Sequence, residues 1–258
     1  MEQITPSGSP DSELSPKSSI AARFFNIMAS PGEVYAEIKN SPPNFWNWLW
    51  PVIIYVLIGS ICTLTVFSQA NILHQIREMQ TKAIQDAVAK KKIPAESVQQ
   101  IEAFNDKFGA TMMKIAAGFG VLLGGFATPF VWGFILWLLA AYLLKAPIPY
   151  MRGVEAAGIA MPILLLGVIV SSLLTVALGK LGATPSLLLL ADSVDLTNKR
   201  HLAMGAVNLI YIWMAVVMSI ALAKFTGKSL AKSLAGVFAV WILIRIICLS
   251  AGMGQMLL

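Results

Sequence analysis

The chain has 258 residues, of which 57% are hydrophobic and only 12% charged, whereas an ordinary soluble domain carries about 25% charged residues. That balance excludes a soluble globular protein and leaves membrane as the class that fits. The formal net charge of +6 invites nucleic acid, but the basic residues are spread over connections beside apolar runs, where anionic lipid headgroups are the natural partner, and no nucleic-acid-binding motif is present.

Residues 1–19 place Pro6, Pro10 and Pro16 among serines and acids, a composition too poor in apolar side chains to offset ordering entropy, and read as a disordered tail. No apolar stretch of signal-peptide type occurs there, so the first membrane helix is expected to serve as the insertion signal. From Ile20 the character changes, with Phe24, Phe25, Ile27 and Met28 ahead of Ser30-Pro31-Gly32-Glu33. Ser30 is placed to cap a helix, Pro31 fits its first position, and Glu33 has capping-box spacing. Val34, Tyr35 and Ile38 then share one face, so residues 20–44 form an amphipathic helical region. It either lies on the membrane as a partner surface or simply leads into the first span.

Pro42-Pro43-Asn44-Phe45-Trp46-Asn47-Trp48-Leu49-Trp50-Pro51 breaks that helix. Trp46, Trp48 and Trp50 fall where amphipathic indoles anchor a span at headgroup depth, rather than forming an aromatic ligand cage. Five apolar runs follow, Leu49 to Phe67, Ile115 to Leu144, Ala156 to Leu178, Leu202 to Ala223 and Leu234 to Leu249. Each is about as long as the ~20 residues that cross hydrocarbon as a helix. The predicted fold is all-α, a polytopic integral membrane protein whose five-helix membrane domain covers residues 45–254.

Between the first two runs lies a polar insertion, predicted as an extramembrane helical hairpin over residues 71–108. Ile72, Leu73, Ile76, Met79, Ala83, Ile84, Ala87 and Val88 recur at helical spacing, Lys90-Lys91-Lys92 suits a helix C-terminus, and Pro94 with Glu96 suits the start of the next helix, which carries Val98, Ile101, Phe104 and Phe108. Its apolar stripe must be covered by a partner helix, the membrane surface or another subunit. Lys90, Lys91, Lys92, Ile76, Ile84 and Phe104 are the candidate lipid or partner surface, with solvated lysines at a turn as the plainer alternative.

The second run would extend about 45 Å as a straight helix, beyond the hydrocarbon core, and must tilt, kink or protrude. Pro129 supplies a kink, and Gly118, Gly120, Gly124 and Gly125 are the candidate helix-packing residues, ahead of a pore-lining role. The third run carries Glu155 at its start and Pro162 inside. In the connection after it, Leu187 to Leu190 are expected to dip into the interface, and Asp192, Asp195, Lys199 and Arg200 to return to water. Arg245 lies deep in the fifth run, where an arginine costs at least ~2.5 kcal/mol on insertion scales. It calls for a counter-charge, with Asp192 or Asp195 nearer by helix parity than Glu155, or for a lipid phosphate. Basic short connections, including Lys145, Arg152, Lys224, Lys228 and Lys232, place the N-terminus inside and the C-terminus outside.

Cys62 and Cys248 both lie in apolar runs and imply neither a disulfide framework nor a metal site. His74 and His201 belong to no catalytic motif, and Gly227-Lys228-Ser229 matches only the tail of a phosphate-binding loop. No cofactor and no enzymatic activity are expected.

Phe25-Asn26-Ile27-Met28-Ala29-Ser30-Pro31, Ala141-Tyr142-Leu143-Leu144-Lys145-Ala146-Pro147, Asn208-Leu209-Ile210-Tyr211-Ile212-Trp213 and Thr226-Gly227-Lys228-Ser229, with the order of five spans, resemble the Yip1-domain proteins over roughly residues 20 to 250. The resemblance implies a cytosolic N-terminus, five helices and, in eukaryotic members, an adaptor role in vesicle traffic through Rab-type GTPases. An Asp-Leu-Tyr-Gly-Pro signature before the first span is absent here, where Asn44-Phe45-Trp46-Asn47-Trp48 stands, and the hairpin is longer than the family's connections. The chain is therefore closer to the bacterial branch, which points to the bacterial cytoplasmic membrane, and GTPase binding is not carried over. Two functions fit the residues. One is a scaffold or adaptor that organises protein partners, lipids or further copies of itself. The other is a small-solute or ion transporter using Arg245 and the kinked second and third spans.

Overall fold

The computed structural model describes residues 18–191 and 198–251. Two short helices, α1 (Ile20–Ala29) and α2 (Pro31–Lys39), precede the first span, α3 (Phe45–Val66). Next come α4 (Ala70–Ala89), α5 (Val98–Phe104) and α6 (Ala110–Leu138), then α7 (Tyr150–Ile159), α8 (Met161–Leu178), α9 (Lys199–Ala206), α10 (Leu209–Thr226) and α11 (Leu230–Ser250). Among the described residues five helical stretches are long and apolar enough to cross a membrane: Phe45–Val66, Val98–Leu143, Tyr150–Leu178, Leu209–Thr226 and Leu230–Ser250. Among the described residues the sole β feature is an isolated bridge between Ser186 and Asn208.

Local chemistry accounts for the boundaries. Asn44 and Asn208 cap α3 and α10, their side-chain oxygens accepting from Trp46 N at 3.0 Å and Ile210 N at 2.9 Å, which satisfies donors that a helix start leaves orphaned. Gly179 and Gly227 end α8 and α10 at φ of 62° and 68°, a left-handed turn open to glycine at little cost. Ser30 does stand at the N-cap of α2, with Pro31 behind it, but its side chain makes no capping bond; its carbonyl accepts from Glu33 N instead. The expected capping box is not formed, because α1 runs up to Ala29 and places Ser30 in the elbow between two helices.

Three spans differ from their apolar runs, the third by starting at Tyr150 and not at Ala156. The second continues back without a break through a π-helical turn at Asn105–Gly109 into the hairpin's return arm, giving a 46-residue rod about 69 Å long. The fourth starts at Leu209, not Leu202, because Leu187 N donates to Val207 O and Leu209 N to Pro185 O, folding the connection back so that α9 stands apart.

The main core gathers Ile27, Val34, Tyr35 and Ile38 from α1 and α2 against Leu136, Ala140, Ala156, Met214, Met218 and Leu222. The N-terminal helices are therefore docked between spans through these residues, while Phe25 and Ile20 of α1 stay exposed. Close approach of spans depends on particular glycines. A Cβ on Gly153 would lie 2.6 Å from Gly133 O, and one on Gly158 would lie 2.2 Å from Trp48 Cβ. Trp48, 6% exposed, is thus a core residue resting on Phe130, and only Trp46 and Trp50 keep the exposed position of interface anchors. Gly125 meets Val56 and Tyr55, whereas Gly118, Gly120 and Gly124 have nothing within 4 Å of an added Cβ, so the contact between α3 and α6 falls one residue past the Gly120/Gly124 pair.

Candidate functional site

Polar chemistry collects in three places. At the face where α1, α2, α3 and α7 meet, charged side chains form one continuous chain of bonds. Glu37 accepts from Arg23 Nη2 at 2.7 Å, from Ser18 N at 2.8 Å and from the Ser18 hydroxyl. Arg23 Nη1 donates to Asn47 Oδ1 at 2.9 Å, and Asn47 Nδ2 donates to Glu155 Oε1 at 2.6 Å. Glu155 Oε1 also accepts from Asn44 N at 3.1 Å, while its Oε2 takes Arg152 Nη1 at 2.6 Å. Arg152 ends the chain on the carbonyls of Ile38, at 2.9 Å, and Ser41.

Glu155 is 1% exposed and Asn47 3%. Glu155 and Arg152 are tolerated at that depth because each meets the opposite charge and further hydrogen bonds, while Arg23 and Glu37, with side chains 13% and 26% exposed, pair nearer the surface. Burial raises the Glu37 carboxyl's pKa, but the bonds from Ser18 and Arg23 outweigh that and hold it below the ordinary value. Beside this chain, burial pushes the Tyr35 hydroxyl far up, so it stays protonated and donates to Ala156 O at 3.0 Å. Phe225 stands edge-on to Tyr35 and under the Arg152 guanidinium.

The second place is the base of α4. Gln75 Nε2 donates to Gly179 O at 2.7 Å, and Gln75 Oε1 accepts from Leu181 N at 3.0 Å, so one amide clamps both edges of the turn after α8. Ile72 and Ile76 are buried there. Ile76 is accordingly part of the attachment and not of an open surface. Farther out, Lys90, Lys91 and Lys92 are exposed, Ile84 is half-buried, and Phe104 is 52% exposed.

The third place is Arg245. Its guanidinium lies 4.7 Å from the Tyr211 ring centre and 5.0 Å from that of Trp241. Glu155 is not its partner: it starts the third span, whereas Arg245 lies near the far end of the fifth, and Glu155 is already engaged by Arg152, Asn47 and Asn44. Asp192 and Asp195 lie outside the described residues. Among the described residues no group of three or more His, Cys, Asp or Glu side chains comes together.

Arg23, Glu37, Asn47 and Arg152 were not singled out as site residues from sequence. One signal was present, since Arg152 and Glu155 at i and i+3 fall on one helix face at the mouth of an apolar run. Their bonds to α2 and α3 span more than 100 residues of chain, which no local pattern reveals.

Taken together, these features define a polytopic helical membrane protein whose buried charges tie its own helices together. The sequence matches the Yip1 domain over residues 25–252, so the chain belongs to the Yip1 family of membrane proteins. No curated protein and no solved structure matches it.

Proposed function

We propose that this protein is a non-catalytic membrane scaffold whose five spans hold a protein-binding hairpin at a fixed distance from the bilayer. The observation that carries this reading is the length of the second span's helix. At 1.5 Å per residue, Phe104 stands about 58 Å from Leu143, beyond the 40–45 Å of a whole bilayer. Phe104 and Phe108, in ring contact with each other and 52% and 43% exposed, are thereby lifted into water, where paired aromatic side chains favour a protein surface.

The membrane is read as the bacterial cytoplasmic membrane, with the N-terminus inside and the hairpin and C-terminus outside. The basic Lys145, Lys224, Lys228 and Lys232 support that orientation, and Lys90, Lys91 and Lys92, at the outer turn of the hairpin, meet a partner's acidic side chains on the other face. A transport reading has less support, because Glu155, one of its intramembrane charges, is committed to Arg152 and Asn47.

Phe104→Ser with Phe108→Ser tests the scaffold. Native mass spectrometry of gently extracted protein should show a partner or a second copy on the parent chain and its loss from the variant, at an unchanged melting temperature. Equal assemblies in both would overturn the reading.

A further inference from the structure

Inside the spans, on the side of the α9 connection, lies a cavity of about 480 Å³, within the 300–1,000 Å³ range of small-molecule sites. Its wall is mainly apolar, built from Tyr55 on α3, Trp132 on α6, Leu164 and Val168 on α8 and Met214 on α10. Its polar end gathers Asn208, Ser171 and Ser172. Asn208 is 3% exposed, and the two ends of its amide are used unequally. Oδ1 accepts from Ile210 N at 2.9 Å as the cap of α10, whereas Nδ2 has no acceptor among the described residues. The only side-chain nitrogens or oxygens there that are both unpartnered and wholly closed off are the indole nitrogens of Trp48 and Trp241. The Asn208 amide nitrogen therefore keeps open surface, and the space that Asn208 borders is the cavity. Ser219 and Ser250 return their hydroxyls to the carbonyl four residues back. Ser171 and Ser172, in the second half of α8, make no such bond and stay half-buried.

We propose that this cavity binds a neutral lipid carbonyl, an acyl ester or a quinone oxygen that accepts from Asn208 Nδ2 while its hydrocarbon chain lies along the apolar wall. A buried donor without an acceptor is uncommon in native proteins. An amide N–H only donates, so the partner it calls for is an oxygen acceptor, and the hydroxyls of Ser171 and Ser172 place further donors in the same space. Neutrality follows from the charges. Arg245 is the one charged side chain in the wall among the described residues and is already engaged, by the Tyr211 and Trp241 rings and by further contact. A charged head would give up its hydration for a space with no open counter-charge. Water alone would meet the amide and leave the wall of Trp132, Ile135, Leu164 and Met214 bare, whereas a hydrocarbon chain covers it. The cavity also lies at membrane depth, where neutral lipids are already dissolved. The site goes beyond the scaffold reading and does not depend on the hairpin.

The test uses the full chain, stripped of lipid in detergent and incubated with two equimolar pairs in turn. The first pair is dioleoylglycerol and its dioleyl ether analogue, which keeps the chains and the hydroxyl but has no carbonyl. The second is a decyl-substituted benzoquinone and decylbenzene. Retained ligand is read by native mass spectrometry. One carbonyl-bearing ligand per chain should be kept, about fivefold in preference to its partner, the factor that one neutral hydrogen bond contributes. Preference within the first pair assigns the acyl ester as the occupant, and preference within the second pair alone assigns the quinone. Asn208→Ser keeps a hydroxyl to cap α10 but deletes the amide donor, and it should erase the preference. Val168→Phe fills the chain's space and leaves Asn208 in place, and it should lower retention of the preferred ligand by a similar factor. Equal retention within both pairs, or an undiminished preference in Asn208→Ser, overturns the site. Should Asn208→Ser fail to fold, unchanged retention in Val168→Phe overturns it alone.

Discussion

Glu155→Leu removes the junction of the buried charge chain. The substitution keeps an apolar side chain of similar size in α7, so no large cavity opens, but it deletes the acceptor of three hydrogen bonds: those from Arg152 Nη1, Asn47 Nδ2 and Asn44 N. Arg152, whose side chain is 9% exposed, is left with a charge answered by the Ile38 and Ser41 carbonyls and the Phe225 ring, with no carboxylate. Stranding one partner of a buried pair costs about 3–5 kcal/mol, which for a domain of this size is a fall of about 6–20 °C in Tm. Thermal unfolding in detergent, followed by tryptophan emission, is a suitable assay because Trp48 lies in the adjoining helix turn. Arg152→Met with Glu155→Leu removes both charges and should recover more than half of the loss, the remainder being the unmet Asn47 and Asn44 donors. A Tm change under about 3 °C for Glu155→Leu, or a double variant less stable than the single one, would refute the idea that this pair ties α2 and α3 to α7.

The Glu37 contact has a defined pH dependence. Its folded pKa is lowered from the ordinary 4.5, so the stability it contributes is complete above that value and is lost as pH falls through the lowered one; the protection of α1 amides relative to their intrinsic exchange rate should fall on acidification from about pH 6 to about pH 3, and Glu37→Gln should flatten the response. Gly158→Val drives a side chain into the Trp48 backbone, 2.5 Å from its Cα, and should destabilise by about 1–3 kcal/mol or more, whereas Gly124→Ala, with open space around it, should be neutral or stabilise by up to about 1 kcal/mol through helix propensity; equal melting temperatures for the two variants would contradict the packing described.

The five spans were legible because crossing a bilayer imposes one requirement, a run of apolar residues of fixed length, and that requirement is local. The position of Asn208 shows where this stops. Leu202 to Ala223 is apolar enough to read as one helix, and the break at Leu209 comes from backbone bonds to Pro185 and Leu187 that composition does not record. Glycine positions follow the same logic: Gly120 and Gly124 have a packing motif's spacing, yet which side of a helix meets a neighbour depends on the neighbour, and α3 meets Gly125. Trp48 differs from Trp46 and Trp50 for a related reason, since Gly158, more than a hundred residues later, leaves the room it fills. The site was least legible, because Arg23, Asn47 and Arg152 read in isolation as ordinary interfacial polar residues and acquire their role only when α1, α2, α3 and α7 converge.

The seating of Tyr35 bears on how the chain is made. Its hydroxyl partner, Ala156 O, and its ring partner, Phe225, lie respectively 121 and about 190 residues downstream, and synthesis at 5–20 residues per second puts the second of them roughly 10–40 s behind. Until the fourth span has been threaded into the bilayer, the apolar face of α2 has no seat. The N-terminal helices are therefore translated ahead of every span and are among the last elements to be locked, and their burial marks completion of the membrane domain.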